Sequence, residues 1–555
     1  MADEDSDNFS ELSYDFFDED LNDDGTKDNE SDISVSPLST PDNSPENSSS
    51  SEEESDDEDL AWRSVLRKPV NKTFSESVGA TFTLDAGQNE LDFFMRFFSE
   101  DMIKLLVTET NKYAEQCQET KPDRNWKDVE MEEMKAFLGI HVYLSIVQLP
   151  SYTLAWSQQW PFGSPSIPNI MTRSRFELLS KYLHCNDVTQ NPPRRTPGHD
   201  KLCHIRPVLD YVLNKCVENY QPHCEQSVDE GMIAYKGRLS FKQYLPAKPT
   251  KFGIKVWERA SPRNGYCHEF QIYTGKVDRE KTEEGLGERV VKDLTRKIIN
   301  KGHHIYMDNF FSSPKLFSSL FKEDLYCCGT VRGNRKGMPE GIKSCKLKNH
   351  GEYKIMQKNE LCATAWKDKK MVFYLSTNCD PNEKITVQRK QKDGSKKDVP
   401  CPIIGQQYNK FMFGVDRADQ LRMQYSTCRK SKKWWKYLLW FLFDICVVNA
   451  FICMKESVNH VIKTKKGREV ARTQLSFRMQ LSRQLIGTYR GSRKRKSKSN
   501  IDPSGLAHWP VKHQKRGRCK QCAIDKKRHD VFIQCKQCAV FLCIDNNCFE
   551  KWHSK

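Results

Sequence analysis

The stretch HHIYMDNFFSS, residues 303–313, combines a β-like apolar run with an acidic residue at its end. The run His304–Asp308 predicts a strand, and the amphipathic segment before it, ERVVKDLTRKII at residues 288–299, predicts a helix. Strands followed by a helix and another strand are typical of a mixed α/β sheet. Further strand-like runs lie upstream: Gln226–Asp229 leading into Met232–Tyr235, then Phe252–Arg259, then Tyr266–Tyr273.

Four aspartates stand in suggestive positions around these elements. Asp229 ends a short strand in QSVDEGM and Asp308 ends a longer one, while Asp416 and Asp419 lie in FMFGVDRADQL at a spacing that places both on one helix face. Carboxylates at neighbouring strand ends converge at one sheet edge, and a third from a facing helix would complete a site for Mg²⁺. Two such ions, about 3.5–4 Å apart, would support in-line phosphoryl transfer. Spacing alone also fits ordinary turns or helix caps, and Glu230 competes with Asp229.

Helix-like patterns flank this sheet on both sides. Residues 89–220 are predicted to be mainly helical, and residues 407–425 and 432–485 are helical again. The apolar run Leu438–Met454 is long enough to suggest a membrane span. We instead expect a buried core helix without membrane association, since Asp444 and Asn449 lie inside the run and Lys432, Lys433 and Lys436 crowd its start.

The charge is distributed unevenly along the 555 residues. Residues 1–60 contain 23 acidic residues and one base, which leaves a body of 87 bases and 51 acidic residues with a net charge of +36. A body this basic predicts a polyanionic partner, most often nucleic acid. The composition excludes a fully disordered or collagen-like chain.

The acidic first 60 residues contain too few apolar side chains to fold, so a disordered tail is predicted. The beginning of the chain also lacks the basic and apolar regions of a secretory signal. Runs such as Ser51-Glu-Glu-Glu have the character of sites for an acid-directed kinase. The tail is either a simple solvated segment or an intramolecular mimic of DNA that masks the basic body.

Several basic clusters are candidate contacts for DNA phosphates, which give affinity and strong salt dependence. For each of them a solvated surface position is the alternative. Trp434 and Trp435 follow one cluster and fit either core packing or stacking on an unpaired base. A later basic run, Arg490–Lys498, fits a nuclear import signal or a linker that adds non-specific DNA affinity. The candidate DNA-binding residues are Lys248, Lys251, Lys255, Arg332, Arg335, Lys336, Arg429, Lys430, Lys432 and Lys433.

The last 37 residues are rich in cysteine. Two C-x₂-C pairs separated by twelve residues, followed by more Cys and His, are a strong zinc signal, and metal would supply the folding energy for so short a segment. Disulfides are the less favoured alternative. Seven ligands are evident and His529 is the natural eighth, which predicts two Zn²⁺ ions, although the pairing of ligands is not readable. The predicted zinc ligands are Cys519, Cys522, His529, Cys535, Cys538, Cys543, Cys548 and His553.

Four motifs occur in a specific order: SVDEGMIAYKGR, QYLPAKPTKFGIKVW, IYMDNFFSS and YNKFMFGVDRADQ. Together they resemble the piggyBac transposase family over residues 85–555. The resemblance implies an RNase H-like α/β catalytic core with a β-rich insertion, flanking helical dimerisation and DNA-binding domains, and a C-terminal cross-brace zinc domain that helps to recognise the element's terminal repeats. It also implies homodimers that cut DNA ends through hairpins and join them at TTAA targets in the nucleus.

Carried onto this sequence, the resemblance implies a triad of Asp229, Asp308 and Asp416 holding Mg²⁺ or Mn²⁺, with Asp419 as a secondary catalytic candidate. The predicted organisation runs from the tail (1–60) through a linker (61–88), a helical region (89–220), the catalytic domain (221–430, insertion at about 314–405), a second helical region (431–486) and a basic linker (487–517) to the zinc domain (518–555).

Two other functions stay open at this point. A domesticated relative would keep the DNA-binding surfaces for a nuclear role without transposition. Without the resemblance, the cysteine motif equally fits a RING or PHD-type protein-binding module in a chromatin or ubiquitin-linked adaptor. That adaptor leaves the four motifs unexplained, and the basic segment KHQKRGR at residues 512–518 favours DNA.

Overall fold

The computed structural model describes residues 61–157, 159, 161–162, 166–194, 196–246, 248, 250–275, 285–390, 394–463, 467–491, 508–544 and 546–553. The predicted acidic tail and most of the Arg490–Lys498 run lie outside these residues. Within them the α-helices are α1 (Glu90–Phe97), α2 (Glu100–Thr120), α3 (Met131–Ile146), α4 (Ser166–Ile170), α5 (Arg173–Tyr182), α6 (Arg206–Glu218), α7 (Leu286–Thr295), α8 (Pro314–Phe321), α9 (Glu340–Lys343), α10 (Ile403–Phe411), α11 (Gly414–Gln424), α12 (Trp434–Lys455), α13 (Gln474–Ile486), α14 (Lys520–Ile524) and α15 (Cys548–His553).

The strands over the same residues are β1 (Gly79–Ala80), β2 (Tyr220–Gln221), β3 (Glu225–Ala234), β4 (Gln243–Tyr244), β5 (Phe252–Ala260), β6 (Cys267–Ile272), β7 (His303–Met307), β8 (Leu325–Thr330), β9 (Tyr353–Lys358), β10 (Leu361–Lys367), β11 (Met371–Ser376), β12 (Lys384–Lys390), β13 (Lys396–Pro402), β14 (Val461–Lys463), β15 (Glu469–Ala471), β16 (Pro510–Arg518) and β17 (Asp530–Cys535).

A nine-stranded mixed sheet contains the predicted strands. Its order is β4-β5-β3-β7-β8-β11-β10-β9, with β6 paired to β5 on the side away from β3. The strands β3, β7 and β8 run parallel to one another. In contrast, β5 is antiparallel to β3, and β6 is antiparallel to β5. The mixed α/β fold predicted from the sequence is therefore confirmed.

Two boundaries differ from the predicted ones. The two runs predicted around Asp229 form one continuous strand, β3, so Asp229 lies inside a strand and not at its end. The strand β8 falls within the range predicted for the insertion, yet it pairs in parallel with β7 as part of the central sheet. The chain leaves this parallel set only after Thr330, and β9, β10 and β11 then extend the same sheet.

Helices cover both faces of the sheet. On one face α7 and α8 pack on Val228, Trp257 and Ile305, since the side chains of Val290, Leu294, Leu316 and Phe317 join the same buried cluster. On the other face α12 packs against Ile254, Val256 and Phe270, together with α1, α3, α6 and α13. This second face also receives α11, which carries Asp416 and Asp419.

The long apolar helix α12 is a core element. It is long and apolar enough to cross a membrane, but 94% of its most apolar window is buried inside the protein. Its internal polar groups are paired: the Asp444 carboxylate accepts from the Thr427 amide at 3.0 Å, and the Asn449 side chain exchanges two hydrogen bonds with the backbone of Cys267 at 2.9 and 3.1 Å. The buried core helix predicted for this segment is confirmed.

The segment predicted as a linker, residues 61–88, is fastened to the sheet edge. Arg63 forms a two-way backbone bridge with Gln357 of β9, at 2.8 and 2.9 Å. The Lys72 amide donates to the Tyr326 hydroxyl at 2.6 Å, and β1 pairs with β2. This segment therefore runs from the edge strand β9, past the start of β8, to the helical region.

Candidate active site and metal centres

Asp229 and Asp308 are neighbours at one edge of the parallel strands. The preceding residues, Val228 of β3 and Met307 of β7, are register partners in the parallel ladder, so the two aspartates follow side by side. Each carboxylate is oriented by a nearby amide: Asp229 accepts from Glu230 N–H and Asp308 accepts from Phe310 N–H, both at 2.8 Å. The convergence predicted from the sequence is present, although only Asp308 follows a strand end.

The helix α11 brings Asp416 and Asp419 to the same face of the sheet. Its first residue is Gly414, where an added Cβ would lie 2.7 Å from both the Ala260 carbonyl oxygen and the Ser227 Cβ, so the close approach of helix and sheet requires glycine here. The Ser227 hydroxyl also donates to the carbonyl oxygen of Met412 just before the helix. These contacts fix the first turn of α11 over β3, with the Asp416 side chain exposed.

The site concentrates negative charge. Burial, reinforced by the charge of Glu230 and then of Asp308, raises the pKa of Asp229 to about 8, while Lys248 acts in the opposite direction. Burial and the charge of Glu230 likewise raise the pKa of Asp308. Crowded, partly buried carboxylates of this kind gain stability when a divalent cation neutralises them. The donor set of hard oxygen ligands fits Mg²⁺ or Mn²⁺.

The described residues do not form a closed carboxylate cage for one ion. Within them, groups of three or more ligand atoms that all lie within 4.8 Å of one another occur only among Cys and His side chains. The oxygens of Asp229, Asp308 and Asp416 are therefore more widely spaced. An open arrangement leaves room for water and phosphate oxygens, which Mg²⁺ keeps as its other ligands.

Two of the predicted DNA-binding lysines belong to this site. The Lys248 ammonium donates to the Glu230 carbonyl at 3.2 Å. Burial lowers the pKa of Lys248, but the negative charges of four nearby carboxylates outweigh burial and raise it overall. These carboxylates belong to Asp229, Glu230, Asp416 and Asp419. Lys255 is only 6% exposed and lies over the Phe310 ring at 4.8 Å. Because β5 directs the Lys255 side chain inward, towards Glu230 and Asp308, it lies at the carboxylate site rather than on the open surface, and its contact with DNA stays a prediction.

The glycine-rich turn after β8 reaches the loop that carries Asp308. The Arg335 guanidinium donates to the carbonyl oxygens of Asn309 at 2.5 Å and Phe310 at 3.2 Å, and Arg332 donates to the Asn309 side chain at 3.3 Å. Lys336 is exposed beside them. Arg332 and Arg335 are thus placed next to the loop that carries Asp308, and phosphate binding by this turn stays a prediction.

The basic cluster before α12 divides into buried and exposed members. Lys430 and Lys432 are exposed, and Lys251 is exposed on the turn before β5. Lys433 lies over the Tyr113 ring at 4.9 Å, and two guanidinium nitrogens of Arg429 are buried. Trp435 is 2% exposed and stacks on His204 at 5.8 Å, which is core packing rather than a platform for a base.

Sequence analysis missed one carboxylate. Glu258 of β5 is the cross-strand partner of Asp229 and is only 2% exposed. Its Oε1 lies 2.3 Å from the position that a Cβ on Gly231 would take, and an Asp419 oxygen lies 3.5 Å from the same position. The available sequence signal is the acidic side chain of Glu258 inside a predicted strand, FGIKVWERA.

The C-terminal segment forms two interleaved sets of ligands. Cys519, Cys522, Cys543 and Cys548 make one set, and His508, Cys535, Cys538 and His553 make the other. The sets alternate along the chain, which is the cross-brace arrangement. In the second set, His508 Nδ1 is 3.2 Å from Cys538 Sγ and His553 Nε2 is 3.5 Å from it, while His553 Nδ1 contacts the Phe549 carbonyl oxygen at 2.6 Å. Both sets have the tetrahedral donor chemistry that Zn²⁺ prefers.

The structure groups His508 with Cys535, Cys538 and His553, whereas the predicted eighth ligand, His529, belongs to neither set. The hairpin β16–β17 pairs Pro510 with Cys535, which carries His508 to the second set. His529 lies at the opposite end of this hairpin, where its carbonyl accepts from the Cys519 amide and its Nδ1 is 2.7 Å from Cys543 Sγ. The folded unit therefore begins within the range predicted as the basic linker.

Known proteins are similar to this chain in sequence and in fold. A family model described as Transposase IS4 matches residues 89–451. The human PiggyBac transposable element-derived protein 3 is 29% identical over 479 residues, covering 83% of this chain and 75% of that protein, and human PiggyBac transposable element-derived protein 5 is 26% identical over 443 residues, covering 77% and 81%. A cryo-EM structure of a piggyBac transposase synaptic complex with hairpin DNA superimposes with a TM-score of 0.66 at 25% identity, covering 85% of this chain and 98% of that one.

Proposed function

Since the chain belongs to the piggyBac family of transposases, we propose that it cleaves and joins DNA strands with Mg²⁺ or Mn²⁺ at Asp229, Asp308 and Asp416. The observation that carries this proposal is the register of β3 and β7, which sets Asp229 beside Asp308 on a sheet edge beneath α11. The five strands β6-β5-β3-β7-β8 with α7, α8 and α11 would form the RNase H-like core. Substrates would be DNA ends carrying the element's terminal repeats, with TTAA as the target.

Each residue has a distinct role in this proposal. Asp229 and Asp308 would hold the cations from the strands, and Asp416 would contribute from the first turn of α11. Bound divalent cations supply activation of a water or hydroxyl and stabilisation of the leaving oxygen in phosphoryl transfer. Arg335 fixes the backbone that follows Asp308 through two carbonyl contacts. The Lys248 ammonium stays charged among the carboxylates and limits their repulsion.

The remaining parts of the proposal concern assembly and location. The two Cys/His sets would each hold Zn²⁺ and present the end domain to the terminal repeats. The protein would act as a homodimer in the nucleus, with the Arg490–Lys498 run as the import signal and an acid-directed kinase acting on the tail. These features rest on the sequence motifs and on the family.

Cleavage of a flanked terminal-repeat duplex tests the enzymatic proposal. Purified full-length protein with Mg²⁺ is expected to nick the duplex and form hairpin ends, and Asp308→Ala is expected to lose both products while retaining binding. A matched control is Asp293→Ala, because Asp293 is an exposed aspartate on α7. Equal cleavage by the wild type and Asp308→Ala would refute this assignment of the site.

A second function is favoured by one finding: human relatives matching most of this chain are described as transposable element-derived proteins. In that case the chain would be a domesticated nuclear DNA-binding protein. Binding of the terminal repeats without cleavage by the wild type in the same assay would favour this alternative.

A further inference from the structure

The insertion carries a group of exposed lysines at one end, here called the lysine end. Lys369 and Lys370 lie in the turn between β10 and β11, and Lys390, Lys396 and Lys397 lie at the tip of the β12–β13 ribbon. All five are exposed, and none of them forms an ion pair within the described part of the chain. Lys390 and Lys396 are direct cross-strand partners, which places like charges side by side.

Specific contacts hold the turn and the ribbon together. The Arg389 guanidinium pairs with Asp368 of the turn at 3.2 Å, and His350 contacts the same carboxylate at 3.0 Å. The Trp366 indole donates to the Pro400 carbonyl at 3.0 Å beneath the ribbon. The carboxylate of the turn thus pairs with Arg389 and His350 rather than with the lysines around it.

The sheet register places the lysine end beyond the edge that carries Asp308. Met307 pairs with Gly329 of β8, and the next residue, Thr330, pairs with Tyr374 of β11. Because β11 runs antiparallel to β8, its first residues extend past this edge. Lys370 precedes Tyr374 by four residues, which is about 13 Å along the strand. That length corresponds to about four base pairs of duplex DNA.

We propose that the lysine end is a second DNA-backbone contact, which holds the duplex several base pairs to one side of the cleaved phosphate. The inference rests on the proposed function and specifies how its substrate is held. The outward positions of β12 are Lys384, Thr386, Gln388 and Lys390, and this polar, cationic surface offers phosphate contacts but not the apolar anchor of a protein interface.

The test compares two triple variants of the full-length protein. K370Q/K390Q/K396Q removes three of the five charges of the lysine end, and K292Q/R296Q/K322Q removes the charges of three exposed bases on α7, after α7 and after α8. The affinity for a long random-sequence duplex is measured across a sodium chloride series. The first variant is expected to reduce the slope of log K against log salt by about 2.7, or about 0.9 for each lost phosphate contact, whereas the control keeps the wild-type slope.

Two results would overturn the inference. An unchanged slope in K370Q/K390Q/K396Q means that these lysines do not contact DNA. An increase in DNA affinity means that they instead hold an acidic segment such as residues 1–60. Cleavage of a flanked terminal-repeat duplex by the wild type is measured in parallel, because a failure there removes the proposed enzymatic function without changing how the salt slopes are interpreted.

Discussion

Glu258 lies directly opposite Asp229 in the β3–β5 ladder and is buried between β5 and α11. Its surroundings include Asp229 on β3, Asp419 and Arg422 on α11, and Cys267 on β6. Arg422 is engaged by Asp419 at 2.5 Å, and the Glu258 Oε1 has no hydrogen-bond partner within the described structure. Burial, followed by the charge of Asp419, raises the pKa of Glu258 to about 8.

Replacing Glu258 by glutamine is therefore expected to stabilise the protein at alkaline pH. A carboxyl group whose pKa is raised in the folded state is protonated there and ionised in the unfolded chain, so its presence lowers stability as the pH rises from about 4.5 to 8. Glu258→Gln lacks this titration. Its melting temperature should match the wild type near pH 5 and exceed it by a few degrees above pH 8.

The control for this change is Glu225→Gln, since Arg263 pairs with that carboxylate at 2.9 Å and the pKa of Glu225 is lowered. Glu225→Gln loses the ion pair with Arg263, so it is expected to lower the stability of the protein at neutral pH. This effect is opposite in sign to the one expected for Glu258→Gln. A stability difference between Glu258→Gln and the wild type that does not change with pH would argue against a protonated Glu258.

The Asp229 carboxyl leads to a prediction for divalent cations. Its pKa of about 8 without metal means that stability falls as the pH rises between about 4 and 8, because the folded protein retains a proton that unfolding releases. A cation that binds the ionised site removes this penalty. Mg²⁺ should therefore raise the melting temperature more at pH 8 than at pH 5, as measured by thermal unfolding against EDTA.

Asp229→Asn provides the comparison, since an amide at this position cannot gain charge with pH. The variant should lose most of the pH-dependent part of the Mg²⁺ effect. An equal response to Mg²⁺ in the variant and the wild type would place the stabilising cation elsewhere.

The acidic tail should weaken DNA binding through its charge. Residues 1–60 carry a net charge of −22 and are covalently attached to a body of +36. Deleting them is expected to raise the affinity for duplex DNA at low salt, with the difference shrinking as salt screens the charges. Binding isotherms of the full-length and truncated proteins across a salt series measure this effect, and coincident curves would remove the masking hypothesis.

Local patterns predicted Asp308 well because its strand ends where the apolar run ends. Asp229-Glu230-Gly231 interrupts the apolar pattern and so predicts a strand end at Asp229, yet the strand continues to Ala234. Glu258 could not be recognised, because its importance depends on the pairing of β3 with β5 and on the position of α11. These are long-range relationships that no single segment encodes.

The two Cys/His sets show the same limit. Cysteine spacing is a local signal and identified six cysteines and His553, whereas the choice between His508 and His529 depends on the register of a hairpin. Both histidines lie near cysteine sulfurs. His508 approaches Cys535 at 3.4 Å and Cys538 at 3.2 Å, while His529 approaches Cys543, whose own set is already complete with four thiols.

Single substitutions of these two histidines should therefore differ in zinc content. His508→Ala removes one of four ligands from the second set and is expected to lower bound zinc from two equivalents to about one, because a three-ligand site loses much of its affinity. His529→Ala leaves both sets intact and should retain two equivalents. Elemental analysis after exposure to a mild chelator measures the difference. Since the β16–β17 hairpin carries His508 to its site, His508→Ala should also lower the affinity for terminal-repeat DNA, whereas His529→Ala should not. Loss of zinc in His529→Ala alone would reverse the assignment.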